Sequence, residues 1–428
     1  MTASTSTTRD YVPSGPFAGR FGPAIALKSR ETGRLTELGP FSIDPETFGP
    51  LEVAYDFGPV TRKDIEAGPA SLWRYAPLLP VPRTAEERPA DLSPGWTRLL
   101  KSENLARRLN LKNLWIKDDR DNPTHSFKDR VVATALAAAK TLGYTTLSCA
   151  STGNLANAVA AASARAGIDS VVFIPENLEQ GKILTSAAYG TKLIAIKGNY
   201  DDVNRLCSEI ADDRDDYGFV NVNLRAYYAE GSKTLGYEIA EQLGWRLPDQ
   251  VVIPVASGSL LTKVDKAFQE LIALGLVEAK PYRIFGAQAT GCSPVAEAFD
   301  AGWDVAKPVR PDTIAKSLAI GNPADAPFVL DIVRRTGGAV AAVSDAEIVA
   351  GIRLLAETEG VFAETAGGVT VANLVKLLDD GRLDPDAETV VINTGDGLKT
   401  LDAIADHVGP AATIDPDLRI FRQTIAAL

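Results

Sequence analysis

From about Trp96 onward, short apolar runs alternate with helical patterns, and that alternation leaves few folds open. Runs suited to buried strands fall at residues 114–117, 145–150, 170–175, 192–197, 219–222, 251–256, 283–287 and 389–393. Helical patterns lie between them at 154–166, 203–212, 260–274, 346–359 and 369–378. A strand that is apolar on both sides must be covered on both faces, and neighbouring parallel strands need a crossover helix. The expected architecture is therefore α/β, with open, mostly parallel sheets and helices on both faces. Such sheets bind ligands beyond the carboxyl ends of their strands. The loops that follow the strands are the places to look for chemistry.

Of residues 1–80, the first 70 are rich in Gly and Pro and lack long periodic segments, apart from a possible strand at 51–56. They read as an N-terminal extension packed on the main body or on a neighbouring subunit. A proline-rich linker follows at 80–95. A hydrophobic content of 45% with 23% charged residues describes an ordinary globular protein, and no apolar run is long enough to span a membrane. The first ten residues lack the apolar core of a secretory leader. A net charge of −11 argues against nucleic acid or anionic lipid as a partner. Cys149, Cys207 and Cys292 are far apart and form no CxxC, which points to a reducing, cytoplasmic setting. With His125 and His407 the only histidines, no metal site is expected.

The stretch from Asp121 to Val132 places one lysine just inside a helix start, behind a turn-forming Asn-Pro. Ser126 is suited to cap the helix, with Asp129 completing an Asp version of the capping box. Val131, Ala135, Ala138, Ala139 and Leu142 then mark one buried stripe. Lys128 stands at the positive end of the helix dipole, a setting that favours a neutral, nucleophilic amine. Four strand-end loops add to this. Ser151-Thr152-Gly153-Asn154 offers hydroxyls, an amide and backbone N–H groups at a helix start, suited to an anion but equally to helix capping. Val255-Ala256-Ser257-Gly258-Ser259-Leu260-Leu261 could be a phosphate cradle or a plain tight turn; it is neither a Walker loop nor a GxGxxG. Asn393-Thr394-Gly395-Asp396-Gly397 is a hydroxyl-bearing turn. Phe362-Ala363-Glu364-Thr365 leads into a helix, where Glu364 could also be a simple helix-start acid.

Taken in this order, these motifs resemble those of the fold type II pyridoxal-phosphate enzymes related to threonine synthase and threonine dehydratase. The resemblance covers roughly residues 48–407 and has a threonine-synthase flavour, carried by Phe48-Gly49-Pro50-Leu51-Glu52, Ser71-Leu72-Trp73-Arg74-Tyr75 and Thr313–Pro323. It implies that pyridoxal 5'-phosphate is held as a Schiff base by the catalytic Lys128. Asn154 would bond the cofactor's ring oxygen, and Ala256, Ser257, Gly258, Ser259 and Leu260 would cradle its phosphate. Thr394 would face the pyridine nitrogen and leave it mostly unprotonated, while Ser151, Thr152 and Gly153 would hold the substrate carboxylate.

The same resemblance implies a large cofactor-binding domain (81–139 and 241–428), a small mobile domain (140–240) and a homodimer. The implied activity belongs to amino-acid biosynthesis: O-phospho-L-homoserine and water give L-threonine and phosphate. Two departures bear on this. Residues 36–50 lack the cysteines of a zinc knuckle, and Ala319 stands where relatives commonly have Arg before Ile-Gly-Asn-Pro. A lyase or β-replacement enzyme acting on serine, threonine or phosphoserine is the alternative, and a non-catalytic amino-acid-binding relative is a third. Lys316 is a possible substitute for the missing Arg. Lys117, Arg120, Arg130 and Lys182 stay unassigned between the cofactor and substrate phosphates.

Overall fold

The computed structural model describes residues 11–151, 153–176, 180–198 and 200–428. Strands β1 (Ala24–Ser29), β2 (Leu35–Thr36) and β3 (Leu51–Tyr55) form an antiparallel sheet in the order β2-β1-β3. Two larger sheets follow, built from β4 (Arg98–Lys101), β5 (Asn113–Asp118), β6 (Thr146–Ala150), β7 (Asp169–Pro175), β8 (Lys192–Ile196), β9 (Tyr217–Phe219), β10 (Gln250–Pro254), β11 (Arg283–Ala289), β12 (Val340–Val343) and β13 (Glu388–Asn393). The six-stranded sheet runs β12-β11-β10-β13-β5-β4, parallel throughout except for the edge strand β4. The four-stranded sheet runs β8-β7-β6-β9 and is all parallel. The chain is α/β with helices on both faces, as its apolar runs require.

Strands β10 and β13 are buried at every position, so both faces of the six-stranded sheet carry a core. On one face Leu235, Ile239, Leu261, Val264 and Phe268 pack from the helices Lys233–Gln242 and Ser259–Ala273. On the other, Ile348, Ile352, Val369 and Leu374 pack from Asp345–Glu359 and Thr365–Asp379. Gly236 lets the first two helices close up, since a Cβ there would sit 2.7 Å from the Ala267 Cβ.

The helix Lys128–Leu142 is buried on nearly all sides rather than along one stripe. Val132, Ala135 and Leu136 face β6 and the helix Asn154–Ala166, whereas Ala133 and Ala137 meet Leu72, Leu79 and Val81. Covered all round, it carries mostly small residues. The β1–β3 sheet shares its core through Phe21, Leu27 and Val53, and Tyr227 ties Gly39 by bonds to its N–H and C=O at 3.0 and 3.1 Å.

Some elements differ from expectation. The strand expected at 219–222 ends at Phe219, where the chain turns back and the Val222 N–H meets the Phe219 carbonyl. Strand β12, the short apolar run Val-Ala-Ala-Val after Gly337-Gly338, and the exposed edge strand β4 are not among the expected runs. No span of these described helices is long and apolar enough to cross a membrane.

Candidate active site

Strands β10, β13 and β5 are consecutive neighbours, all parallel, so the loops after them open side by side. The loop after β5 leads to Lys128, the loop after β13 holds Thr394, and the loop after β10 holds Ser257. Two of these loops are zipped together. The Phe127 N–H donates to the Thr394 carbonyl at 2.9 Å, the Asp396 N–H to the His125 carbonyl at 3.1 Å, and Ser126 pairs with Gly395. A third ribbon joins them, for Glu364 N–H donates to Gly395 at 3.0 Å and Gly397 N–H to Phe362 at 3.0 Å. Gly395 is required here, because a Cβ would come 2.6 Å from the Glu364 carboxyl carbon.

This zipping overturns the expected capping box. The residue before the helix is Phe127, in helical conformation and without a side-chain cap, and Ser126 Oγ is buried with no partner among the described residues. Asp129 instead turns back to accept from the Thr124 N–H (2.7 Å) and hydroxyl (2.8 Å). Its carboxylate therefore holds the Asn122–His125 turn rather than the helix end. Burial pushes its pKa up to about 6, against those two bonds.

Lys128 is half-buried, its Nζ 3.2 Å from the Tyr228 hydroxyl and 4.5 Å from the centre of the Phe127 ring. Thr394 Oγ1 donates to Glu364 Oε1 at 3.1 Å, and Asn154 Nδ2 donates to Glu364 Oε2 at 2.8 Å. Burial raises the Glu364 pKa, while those two bonds and the charges of Lys399 and Lys128 pull it down. Asn154 begins a 13-residue helix after β6, so the Ser151–Asn154 loop of the four-stranded sheet reaches the tips of the six-stranded one through Glu364. Ser151 donates its N–H to Phe173 at 3.2 Å and Gly153 stands before the helix with open space around it. Thr152 lies outside the described residues.

Gly258 has φ +96° and precedes the 15-residue helix Ser259–Ala273. A Cβ at this position would meet Val329 Cγ2 at 2.6 Å, so the loop stays open only with glycine. Ala256, Ser257 and Ser259 are half-buried, and Leu260 points its side chain into the core and can offer only its backbone. Asp325 lies against this loop, its N–H on the Ser257 carbonyl at 3.1 Å. An acid so placed opposes an anion at the helix start. Two arginines cancel it: Arg30 at 2.7 Å from the N-terminal sheet and Arg225 at 3.1 Å. Arg225 and Tyr228 are one turn apart on the short helix Arg225–Glu230, which thus runs from the phosphate-loop region to Lys128.

The unassigned basic residues separate clearly. Arg130 is fully buried, bonded to both oxygens of Asp119 at 2.8 Å and to Glu238. Lys117 is buried beside it, 2.6 Å from Glu238 and 2.7 Å from the Thr97 carbonyl. Both are core ions rather than anion ligands, and Arg130 is no surface residue. Arg120 forms a two-pronged pair with Asp118 at 2.8 and 2.9 Å. Lys316 is exposed, and Ala319 stands just after the turn Lys316–Leu318. The Lys182 side chain lies outside the described residues.

Sequence reasoning missed Tyr228, Arg30, Arg225 and Asp325, and no local motif marks them. The donor set fits pyridoxal phosphate: a half-buried amine, an open helix start for a dianion, a hydroxyl and an amide for the ring, and the buried, unpartnered Ser126 Oγ among them.

A family profile described as pyridoxal-phosphate dependent enzyme matches residues 90–395. The chain is 36% identical to a threonine synthase of Methanocaldococcus jannaschii, over 90% of this chain and 95% of that protein. It is 35% identical to a threonine synthase of Methanosarcina acetivorans, over 88% and 92%. Among solved structures, an L-serine ammonia-lyase from Rhizomucor miehei superposes with a TM-score of 0.62 at 23% identity, covering 72% of this chain and 96% of that one. A threonine deaminase from Solanum lycopersicum gives 0.61 at 20% identity, over 81% and 92%. At such identities these structures speak for the fold alone.

Proposed function

The chain belongs to the family of pyridoxal-phosphate dependent enzymes, and on that premise we propose that it is a threonine synthase, turning O-phospho-L-homoserine and water into L-threonine and phosphate. The observation that carries this reading is the 36% identity to a threonine synthase across 90% of the chain, joined to Lys128, Thr394 and Ser257 on three adjacent strand tips.

Bound at this site, pyridoxal phosphate supplies an electrophilic aldehyde and a ring that spreads the negative charge left when a proton leaves Cα. Lys128 would hold the cofactor through its amine, and the same amine, when free, would take the proton from Cα and return protons along one face of the substrate. The Tyr228 hydroxyl, 3.2 Å away, steers that amine. Backbone N–H groups at residues 258–260 would hold the cofactor phosphate at the helix start, with Arg30 and Arg225 offsetting the charge of Asp325. Ser151 and the start of the Asn154–Ala166 helix bind the substrate carboxylate. Closure of residues 140–240 against the larger body (81–139 and 241–428) excludes water until it is needed. The three buried cysteines suit a cytoplasmic enzyme, and we expect a homodimer.

A second reading is a lyase or β-replacement enzyme for serine, threonine or phosphoserine. Ala319 favours it, since no guanidinium stands there and Lys316 is exposed. One assay separates them. Purified protein loaded with cofactor releases inorganic phosphate and forms threonine from O-phospho-L-homoserine if the first reading is right. Absence of both products, with keto acid formed from serine or threonine, supports the second.

A further inference from the structure

The short helix Arg225–Glu230 presents one side chain to Lys128 and fastens its neighbours elsewhere. The Tyr228 hydroxyl lies 3.2 Å from the Lys128 Nζ, while Arg225 is paired with Asp325 and Tyr227 stacks on Phe21 with ring centres 4.7 Å apart. The last residue of the helix, Glu230, is fully buried and has no part in the roles above. Its Oε1 accepts from Lys263 at 2.5 Å and from Lys266 at 3.1 Å. Its Oε2 accepts from the Tyr55 hydroxyl at 2.6 Å and lies 2.9 Å from the Lys233 Nζ. The helix falls within residues 140–240, yet these bonds tie it to β3 and to the helix Ser259–Ala273, both outside that segment.

The ions around Glu230 balance. Lys233 also pairs with Glu270 at 3.0 Å, and Lys263 and Lys266 lie 3.8 and 3.6 Å from Glu52, so three lysines face three carboxylates. Burial works against the charge of Glu230, but Lys233, Lys263 and Lys266 outweigh it and hold its pKa well below the ordinary carboxylate range. A buried carboxylate engaged on both oxygens cannot swing away without leaving cations poorly paired. The end of the short helix is also pressed against the helix of Lys128, for a Cβ on Gly231 would come 2.7 Å from the Arg130 carbonyl oxygen. Glu230 thus fixes where the short helix stands, and that helix rests on the one carrying the amine.

We propose that Glu230 is a positioning residue: by locking the helix Arg225–Glu230 onto the N-terminal sheet and the helix Ser259–Ala273, it holds the Tyr228 hydroxyl against the Lys128 amine and makes that sheet part of the active site. This rests on Lys128 being the amine that takes the cofactor, as proposed above. The side chain of a lysine is a flexible four-carbon stem, so an amine without a fixed neighbour spreads over several positions. The Tyr228 hydroxyl narrows that spread whichever of the two groups donates. A shift of the short helix is therefore passed on to the reacting nitrogen, where a small misplacement is costly. Glu52 and Tyr55 precede residues 90–395, so this support comes from outside the part of the chain that matches the family profile.

The test is the rate at which the full-length apoprotein captures pyridoxal phosphate, followed by visible absorbance and scaled to the amount finally bound. Glu230→Gln keeps the size and removes the charge, and it should slow capture about fivefold, the worth of one hydrogen bond. Tyr228→Phe should slow capture by a similar factor, and adding Glu230→Gln to Tyr228→Phe should slow it no further. A residue that only stabilises the fold would slow capture equally with and without the Tyr228 hydroxyl, or not at all. Either result overturns the proposal. Should Glu230→Gln fail to fold, Lys263→Met is added to it, which leaves Lys233 with Glu270 and Lys266 with Glu52. The same comparison with and without Tyr228→Phe then decides. A wild-type protein that binds no cofactor overturns the placement of Lys128 and this inference together. Capture needs no substrate, so the result does not depend on whether the enzyme makes threonine.

Discussion

Lys128 and Arg130 are two residues apart on one helix and could hardly be treated more differently. Arg130 is fully enclosed, and its guanidinium is bonded to Asp119, Glu238, Thr97 and Thr234. Lys117 completes this cluster, so two cations face two carboxylates with their polar atoms engaged. Burial works against the charge of Arg130, but Asp119 and Glu238 outweigh it and hold it well above the ordinary value. Lys128, by contrast, is half-buried and touches one hydroxyl and two aromatic rings. The contrast teaches how to tell a structural cation from a chemical one. A structural cation uses its bonding capacity within the fold, whereas a chemical one is held in place with hydrogens to spare.

The largest test of this comparison removes each cation in turn. Lys128→Ala should lower turnover by on the order of 10^4-fold, since in the proposed function one group serves as amine and proton carrier. It should change the stability of the apoprotein by only about 0.5 kcal/mol. Arg130→Ala should do the opposite, costing roughly 3–5 kcal/mol by leaving Asp119 and Glu238 uncompensated. Urea melts beside single-turnover rates will measure both. Equal stability losses would erase the distinction.

Asp129, between the two, gives a test by pH. Its folded pKa of about 6 lies above the ordinary side-chain value of 3.8, so the folded state binds the proton more tightly. This contribution to stability is complete below about pH 4 and is lost as pH rises through 6, a change on the order of 3 kcal/mol. Asp129→Asn should flatten the stability curve between pH 4 and 6. A slope identical to wild type would mean that Asp129 is not buried as described. The smallest effect concerns Arg30, whose pair with Asp325 leaves Arg225 as a second cation on the same acid. Arg30→Ala should weaken cofactor binding about fivefold, equivalent to ~1 kcal/mol of charge at a helix start. In an Asp325→Asn background the same change should be nearly silent.

Local signals in the sequence carried a good deal. Continuous apolar runs mark β5, β6, β7, β10 and β13 because buried parallel strands need no polar face. The lysine and Thr-Gly loops, conspicuous in composition, meet through backbone bonds at Phe127 and Asp396. What the sequence hid is non-local. Arg30 finds Asp325 across 295 positions, Asn154 finds Glu364 across 210 and Lys128 finds Tyr228 across 100. No spacing rule reports such pairs. The capping box failed although its two residues had the right separation: the Ser126 backbone pairs with distant Gly395, and Asp129 turns back to Thr124 five residues before it. Strand β4 stayed hidden because its residues are exposed or half-buried, giving no apolar run.

The central claim is that the amine of Lys128 bonds the cofactor. Reducing the cofactor-loaded protein with borohydride, digesting it and locating the pyridoxyl group by mass spectrometry tests this directly. The account predicts a single labelled peptide with the group on Lys128. A label on another lysine, or none in a protein that has taken up pyridoxal phosphate, would contradict it.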